Sequence, residues 1–279
     1  MSSPTQTGGL AALRFTDEVL DLQGRRIAVR HWRQAASTGR APLVFLHDSL
    51  GCIATWRDFP QKLAERSGRD ALIYERLGHG GSGPFDRPRE RDYLLHEARD
   101  VLPAVLAACG VERAVLFGHS DGGSIALLAA ATLPEQVVGV VTEGAHIFNE
   151  DRTRAGVEQA IHDYRTTDIA QRLVKYHGDK VDALYRAWTN TWTAEWFRDW
   201  SVEHLMPQIR CPLLVIQGED DEFGTLQQVY RTVGGASGPA RALVLPECGH
   251  TPHREARERV KEEVTAFLAA LPPGGGCPR

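Results

Sequence analysis

A serine stands among glycines in Gly118-His119-Ser120-Asp121-Gly122, at the join of two apolar runs. Ala114-Val115-Leu116-Phe117 before it reads as a short buried strand, and Ser124 to Ala131 after it as a buried helix. A G-x-S-x-G corner of this kind lifts the hydroxyl above a sheet and sets it at a helix N-terminus. There, free N–H groups and the helix dipole favour developing negative charge. The pentapeptide alone is equally compatible with a glycine-rich turn capped by a serine. A phosphate loop is disfavoured, because no G-K-[ST] ending follows.

A serine hydroxyl is a poor nucleophile until a base takes its proton, and a histidine base needs an acid to orient it. Two later segments offer both. "PLLVIQG" runs into Glu219-Asp220-Asp221-Glu222, and "ARALVLPE" runs into Cys248-Gly249-His250-Thr251-Pro252-His253. Each candidate follows a continuous apolar run, as Ser120 does. Strands with parallel directions would carry all three to one edge of the sheet, in the chain order serine, acid, histidine.

The elements that must position them can be read from hydrophobic pattern. "PLVFLH", "DALIYER", "RAVLFGH", "VVGVVTEG", "PLLVIQGE" and "ARALVLPE" are short and continuously apolar, as strands covered on both faces are; "RIAVRHW" alternates, as an exposed edge strand would. Amphipathic runs lie between them: "WRDFPQKLAERSG", "RDYLLHEARDVLPAVLAACG" stopping at Gly110, and "HREARERVKEEVTAFLAAL". The last places Ala256, Val260, Val264, Phe267 and Leu268 on one stripe. This alternation predicts an α/β fold with a mostly parallel, doubly wound sheet. One region breaks the rhythm. Residues 148–206 carry no strand signal over about 60 positions, several times an ordinary connection. They are expected to form a helical insertion over the ligand crevice, between core segments 1–147 and 207–279.

Bulk properties exclude several classes. The 279 residues are 42% hydrophobic and 24% charged, with 32 Lys+Arg against 36 Asp+Glu and a formal charge of −4. No basic stripe suggests nucleic acid, and no apolar run reaches the roughly 18 residues of a membrane span. Cysteines 52, 109, 211, 248 and 277 are odd in number and lack C-x-x-C spacing, which favours reduced thiols and a cytoplasmic setting over disulfides or zinc. Cys109 and Cys211 are expected to be buried. "MSSPTQTGGLAAL" reads as a flexible lead-in and not a signal peptide, and "LPPGGGCPR" as a frayed tail.

On the serine corner, the order of the partners and the strand ends that carry them, the chain resembles the α/β-hydrolase superfamily over nearly its whole length. The resemblance implies an α/β-hydrolase fold, with the inserted helices as a cap. It implies Ser120 as nucleophile and Asp221, three residues past Gly218, as orienting acid. It implies His250, following Gly249, as general base. Asp220 and Glu143 are rival acids, and His253 is expected in a supporting or surface position. The oxyanion donors it implies are the backbone N–H groups of Asp121 and, after "PLVFLH", of Ser49. Here the chain has His47-Asp48 where the family has His-Gly, so a residue with a side chain stands beside the second donor. His47 is expected to brace that loop, and the Asp121 carboxylate to be solvated or locally hydrogen-bonded. "ERLGHGGSG", residues 75–83, resembles a structural turn of the family with Glu75 in place of Asp.

The insertion holds Trp188, Trp192, Trp196 and Trp200 at four-residue spacing, suited to packing the cap onto the core or to lining a pocket. The expected pocket residues are His119, Phe148, Trp188, Trp192 and Phe223. Tyr164 and Tyr176 are further aromatic candidates. Arg152, Arg165, Arg172 and His162 are read as solvated, with one free to clamp a carboxylate. The expected activity is hydrolysis of a small, fairly apolar carboxylic ester or lactone through an acyl-enzyme. No cofactor, no metal, no nucleic acid and no membrane are expected, and the partner is a small-molecule substrate. The same residues would serve a C–C bond hydrolase of ring-cleavage products, a thioesterase or an acyltransferase. A small-molecule receptor on this scaffold is the non-enzyme alternative. Haloalkane and epoxide chemistry is excluded, because those relatives carry a carboxylate at the position of Ser120.

Overall fold

The computed structural model describes residues 13–36 and 38–272; the expected lead-in before residue 13, the tail after residue 272 and Cys277 lie outside the described residues. The chain builds an eight-stranded sheet in the order β1-β2-β4-β3-β5-β6-β7-β8. Its first hairpin, β1 (Arg14–Leu22) and β2 (Arg25–Arg33), is antiparallel, and β2 also runs antiparallel to β4. β3 (Leu43–Leu46), then helix α1 (Phe59–Ser67), lead to β4 (Ala71–Tyr74). A helical run follows as α2 (Tyr93–His96), a π turn over Glu97–Val101, and α3 (Leu102–Ala108), and Gly110 with φ 68° then turns the chain. β5 (Ala114–His119) feeds α4 (Asp121–Thr132) and β6 (Val137–Glu143). β3 to β8 pair in parallel throughout.

Continuous apolar sequence becomes a two-faced core. Val44, Leu46, Leu72, Tyr74, Leu116 and Val140 pack on one side with Leu94, Leu102 and Ile125. Leu43, Phe45, Ile73, Val115, Phe117 and Val141 pack on the other with Phe59, Leu63, Val260 and Val264. The period-two alternation of strand side chains forces this division. Helix α4 is buried at every residue from Asp121 to Ala131, so its sequence carries no solvent-facing stripe and its polar Asp121 and Ser124 bond inside the protein.

Between β6 and β7 (Leu213–Gly218) lie α5 (Asp151–Thr166), α6 (Ile169–His177) and α7 (Val181–Thr193), followed by short 3₁₀ turns. A bridge between Phe148 and Ser201 ties the two ends of this stretch together. The chain closes with α8 (Gln227–Gly235), β8 (Ala240–Leu245), α9 (Pro252–Glu255) and α10 (Arg257–Ala270). No described helix is long and apolar enough to cross a membrane.

Four expectations are corrected. The alternating run at residues 26–32 is not the edge strand, because β2 sits inside the sheet and the polar β1 covers its free side. The final helix is broken at Ala256, whose φ −120° and ψ 40° leave the helical region. The tryptophans do not share one helix: α7 ends at Thr193, Trp196 is 47% exposed in a 3₁₀ turn, and Trp200 stacks on Phe197. Of the cysteines expected to be buried, Cys211 is and Cys109 is only half-buried; Cys52, Cys109 and Cys248 are free thiols.

Candidate active site

Ser120 occupies the corner between β5 and α4 with φ 55° and ψ −121°, a left-handed region rarely adopted by non-glycine residues. Its N–H donates to the Glu143 carbonyl at 2.8 Å, which fixes the strained backbone against the end of β6. The flanking glycines are required by close approach. A Cβ at Gly118 would lie 2.2 Å from the Gly122 carbonyl oxygen, and one at Gly122 would lie 2.0 Å from that of Leu46.

The loop after β7 and the loop after β8 meet this corner. His250 Nδ1 lies 2.9 and 3.0 Å from the Asp221 carboxylate oxygens. Phe223 N–H also donates to Asp221 Oδ1, at 2.9 Å. Burial disfavours the charged carboxylate of Asp221, but His250 outweighs it and lowers its pKa to about 2. Burial likewise opposes a charge on His250, yet Asp221 raises its pKa above the ordinary value. Asp220, the rival acid, is exposed and uses its N–H on the Cys248 carbonyl.

Ser120 and His250 face one cavity of about 200 Å³. Among the described residues, neither Ser120 Oγ nor His250 Nε2 makes a hydrogen bond, the His250 ring bonding Asp221 through Nδ1 alone. Of the residues named for a pocket, His119, Trp188, Trp192 and Phe223 line this cavity. Phe148 does not. It lies under the Arg231 guanidinium, 5.0 Å from its ring centre, at the bridged base of the insertion. Tyr164 instead stacks on Tyr185 and bonds Asp182, and Tyr176 lies beneath the Lys175 ammonium. Arg152 is exposed and donates to the Asp221 carbonyl at 2.6 Å.

Ser49 and Asp121 line the same cavity, and the backbone N–H of neither finds an acceptor among the described residues. Asp48 adopts an ordinary negative φ, so the missing glycine leaves no strain at that position. Its carboxylate accepts the Leu50 N–H at 3.1 Å and faces His119 Nδ1 at 3.3 Å. His119 in turn reaches the His250 carbonyl through Nε2 at 2.8 Å, so Asp48 is tied to the loop that carries His250. His47 is buried, donates from Nδ1 to the Asp48 carbonyl and accepts the Arg76 N–H at Nε2. Burial, reinforced by Arg76, lowers its pKa and keeps it neutral.

The Asp121 carboxylate is not solvated. It is 1% exposed, accepts from Tyr93 Oη at 3.2 Å and faces Arg76 and Arg89 at 3.6 and 3.7 Å. His253 is not on the surface either: Nδ1 lies 2.6 Å from Glu143, and its ring packs on Trp56 and Phe59. Glu75 is a structural anchor, accepting the N–H groups of Ile53 and Gly81, while Gly78 and Gly80 turn the chain at positive φ. From the insertion, His177 donates to the Leu50 carbonyl and accepts the Gly80 N–H, and Lys180 Nζ donates to the Gly80 carbonyl. These bonds hold the insertion against the loops beside the cavity.

Sequence reasoning missed His146, which lines the cavity and is 3% exposed. No motif marks it, since only tertiary contact brings it there. A larger cavity of about 600 Å³ lies between the β1–β2 turn and α2–α3 and includes neither Ser120 nor His250. Among the described residues, Glu18, His31 and Cys109 form the only group with metal-ligand spacing; they lie off the cavity, and His31 already pairs with Glu18 at 2.6 Å.

Known proteins resemble this chain in sequence and in fold. A family model described as "Alpha/beta hydrolase family" matches residues 43–263. The chain is 27% identical to the serine hydrolase BPHL of Mus musculus, covering 84% of this chain and 81% of that one. It is 28% identical to a 2-hydroxy-6-oxononadienedioate/2-hydroxy-6-oxononatrienedioate hydrolase of Paraburkholderia phymatum, over 82% and 88%. The crystal structure of a 2-hydroxy-6-oxo-6-phenylhexa-2,4-dienoate hydrolase from a Rhodococcus strain superposes with a TM-score of 0.76 at 15% identity, covering 92% of this chain and all of that one.

Proposed function

The chain belongs to the alpha/beta hydrolase family, and from that premise we propose that it is a serine hydrolase cleaving a small, fairly apolar carboxylic ester or lactone. Ser120 attacks the carbonyl carbon, and His250 takes the hydroxyl proton and returns it to the leaving alkoxide. Asp221 holds the imidazole in the tautomer whose free Nε2 faces the serine. The oxyanion settles on the N–H groups of Ser49 and Asp121. Water, activated again by His250, then cleaves the acyl-enzyme to acid and free serine. Residues 148–206 act as the cap, supplying Trp188 and Trp192 to exclude water. The free thiols support a reducing, cytoplasmic setting.

The observation that carries this reading is the shared cavity: a strained serine, an aspartate-held histidine and two unused N–H groups open onto about 200 Å³. C–C bond hydrolysis is the second reading, because one relative is named for a dioate substrate. The cavity is lined by Asp48, Asp121 and Glu222 and by no described lysine or arginine, which favours a neutral ester or lactone over a dicarboxylate. The test is incubation with p-nitrophenyl acetate and butyrate. The expected result is a burst and steady turnover that Ser120→Ala abolishes. Tight ligand binding without turnover, unchanged in Ser120→Ala, would instead indicate a receptor.

A further inference from the structure

His146 is held rigidly at the mouth of helix α4. Its backbone N–H donates to Ser124 Oγ at 3.0 Å, and its carbonyl accepts from the same hydroxyl at 2.7 Å. Its ring lies 5.2 Å from Trp192 and 6.1 Å from His250, centre to centre. Nε2 contacts the Phe223 carbonyl at 3.0 Å. A carbonyl can only accept, so Nε2 carries the hydrogen and Nδ1 of the neutral ring is left as a lone-pair acceptor. That Nδ1 is buried and has no hydrogen-bond partner. Burial, and then the neighbouring His250, lower the pKa of His146, so the ring is neutral near pH 7. A buried acceptor without a donor costs about 1–3 kcal/mol, and the residue that carries this one lines the cavity that holds Ser120.

We propose that His146 Nδ1 is a specificity determinant: it accepts a hydrogen bond from a hydroxyl or other neutral O–H or N–H donor on the substrate. This rests on the hydrolase reading above and narrows its substrate class to esters carrying such a donor. An ammonium group fits less well, because His250 becomes a cation in the transition state and its ring lies only 6.1 Å away. Sites built around a substrate hydroxyl discriminate against analogues lacking it, because the protein partner is then stranded.

The test compares kcat/KM for matched pairs in which a hydroxyl is capped as its methyl ether. The pairs are ethyl 2-hydroxybutyrate with 2-methoxybutyrate, ethyl 3-hydroxybutyrate with 3-methoxybutyrate, and 2-hydroxyethyl butyrate with 2-methoxyethyl butyrate. At least one pair should favour the hydroxyl by about tenfold or more, and the ratio should collapse toward unity in His146→Phe. A second readout needs neither turnover nor that variant. In Ser120→Ala, the ¹⁵N resonance of His146 Nδ1 should move toward its hydrogen-bonded position as the preferred hydroxy ester is added. Ratios near unity for every pair, or a ratio unchanged in His146→Phe, would overturn the proposal, as would a stationary Nδ1 resonance. Absence of any ester turnover with a moving Nδ1 resonance would refute the hydrolase reading and leave the donor site standing.

Discussion

Two histidine–carboxylate pairs lie side by side in this molecule, and their difference teaches what makes a base. His250 with Asp221 and His253 with Glu143 stand three residues apart in sequence, at 2.9 and 2.6 Å. Both carboxylates are buried. Pairing is therefore common to both. What separates them is access and charge balance. His250 borders the cavity with Ser120, and its acid raises its pKa despite burial. His253 is walled in by Trp56 and Phe59, and burial lowers its pKa more than Glu143 can restore. Glu143 meets Ser120 only through its main-chain carbonyl. On the function proposed above the first pair serves proton transfer, and the second ties the end of β6 to α9.

Removing the orienting charge gives the largest expected effect. Asp221→Asn should lower the acylation rate by about 10⁴-fold, because the asparagine amide favours the wrong imidazole tautomer. In the wild type the acid limb of kcat/KM should fall above the ordinary histidine value of 6.5, since the neutral ring is the base and Asp221 raises its pKa. The residual activity of Asp221→Asn should titrate at lower pH; an unmoved limb would assign the pKa to another group.

Breaking the other pair should separate stability from rate. His253→Ala removes the hydrogen-bond partner of the buried Glu143 carboxylate, costing about 1–3 kcal/mol in urea unfolding, while most of the acylation rate survives. Opening the cavity wall should act more modestly: Trp188→Ala is expected to raise KM by about threefold to tenfold with less change in kcat.

The smallest effect is a pH dependence of stability. His47, His79, His146, His177 and His253 all have pKa values lowered by burial. The unfolded chain therefore binds more protons than the folded one as pH falls through 6.5, and Tm should drop there. His250, with its raised pKa, acts in the opposite sense, its contribution present below 6.5 and lost as pH rises. A Tm that climbs on acidification would contradict this balance.

Much of this was legible in sequence where a continuous apolar run ended in a polar residue. β3 to β8 were marked that way, and so were Ser120, Asp221 and His250, because a strand end fixes where the next side chain emerges. β1 was not, since "RFTDEVLDL" is polar and mostly exposed, and its pairing rests on the ladder to β2. The break at Ala256 has no glycine or proline to announce it. Helical periodicity joined Trp196 and Trp200 to a helix that ends at Thr193, and so overcounted the tryptophans on that face. The burial of Asp121 against Arg76 and Arg89, and of His253 against Glu143, depends on partners 32 to 110 residues away. His146 was invisible for the same reason.

The contrast between the two pairs is tested most directly by stopped-flow acylation with p-nitrophenyl butyrate in His250→Ala and His253→Ala, measured together. The burst should vanish in His250→Ala and persist at most of its wild-type rate in His253→Ala. A burst that survives loss of His250 and disappears with His253 would contradict the assignment of the base and the account built on it.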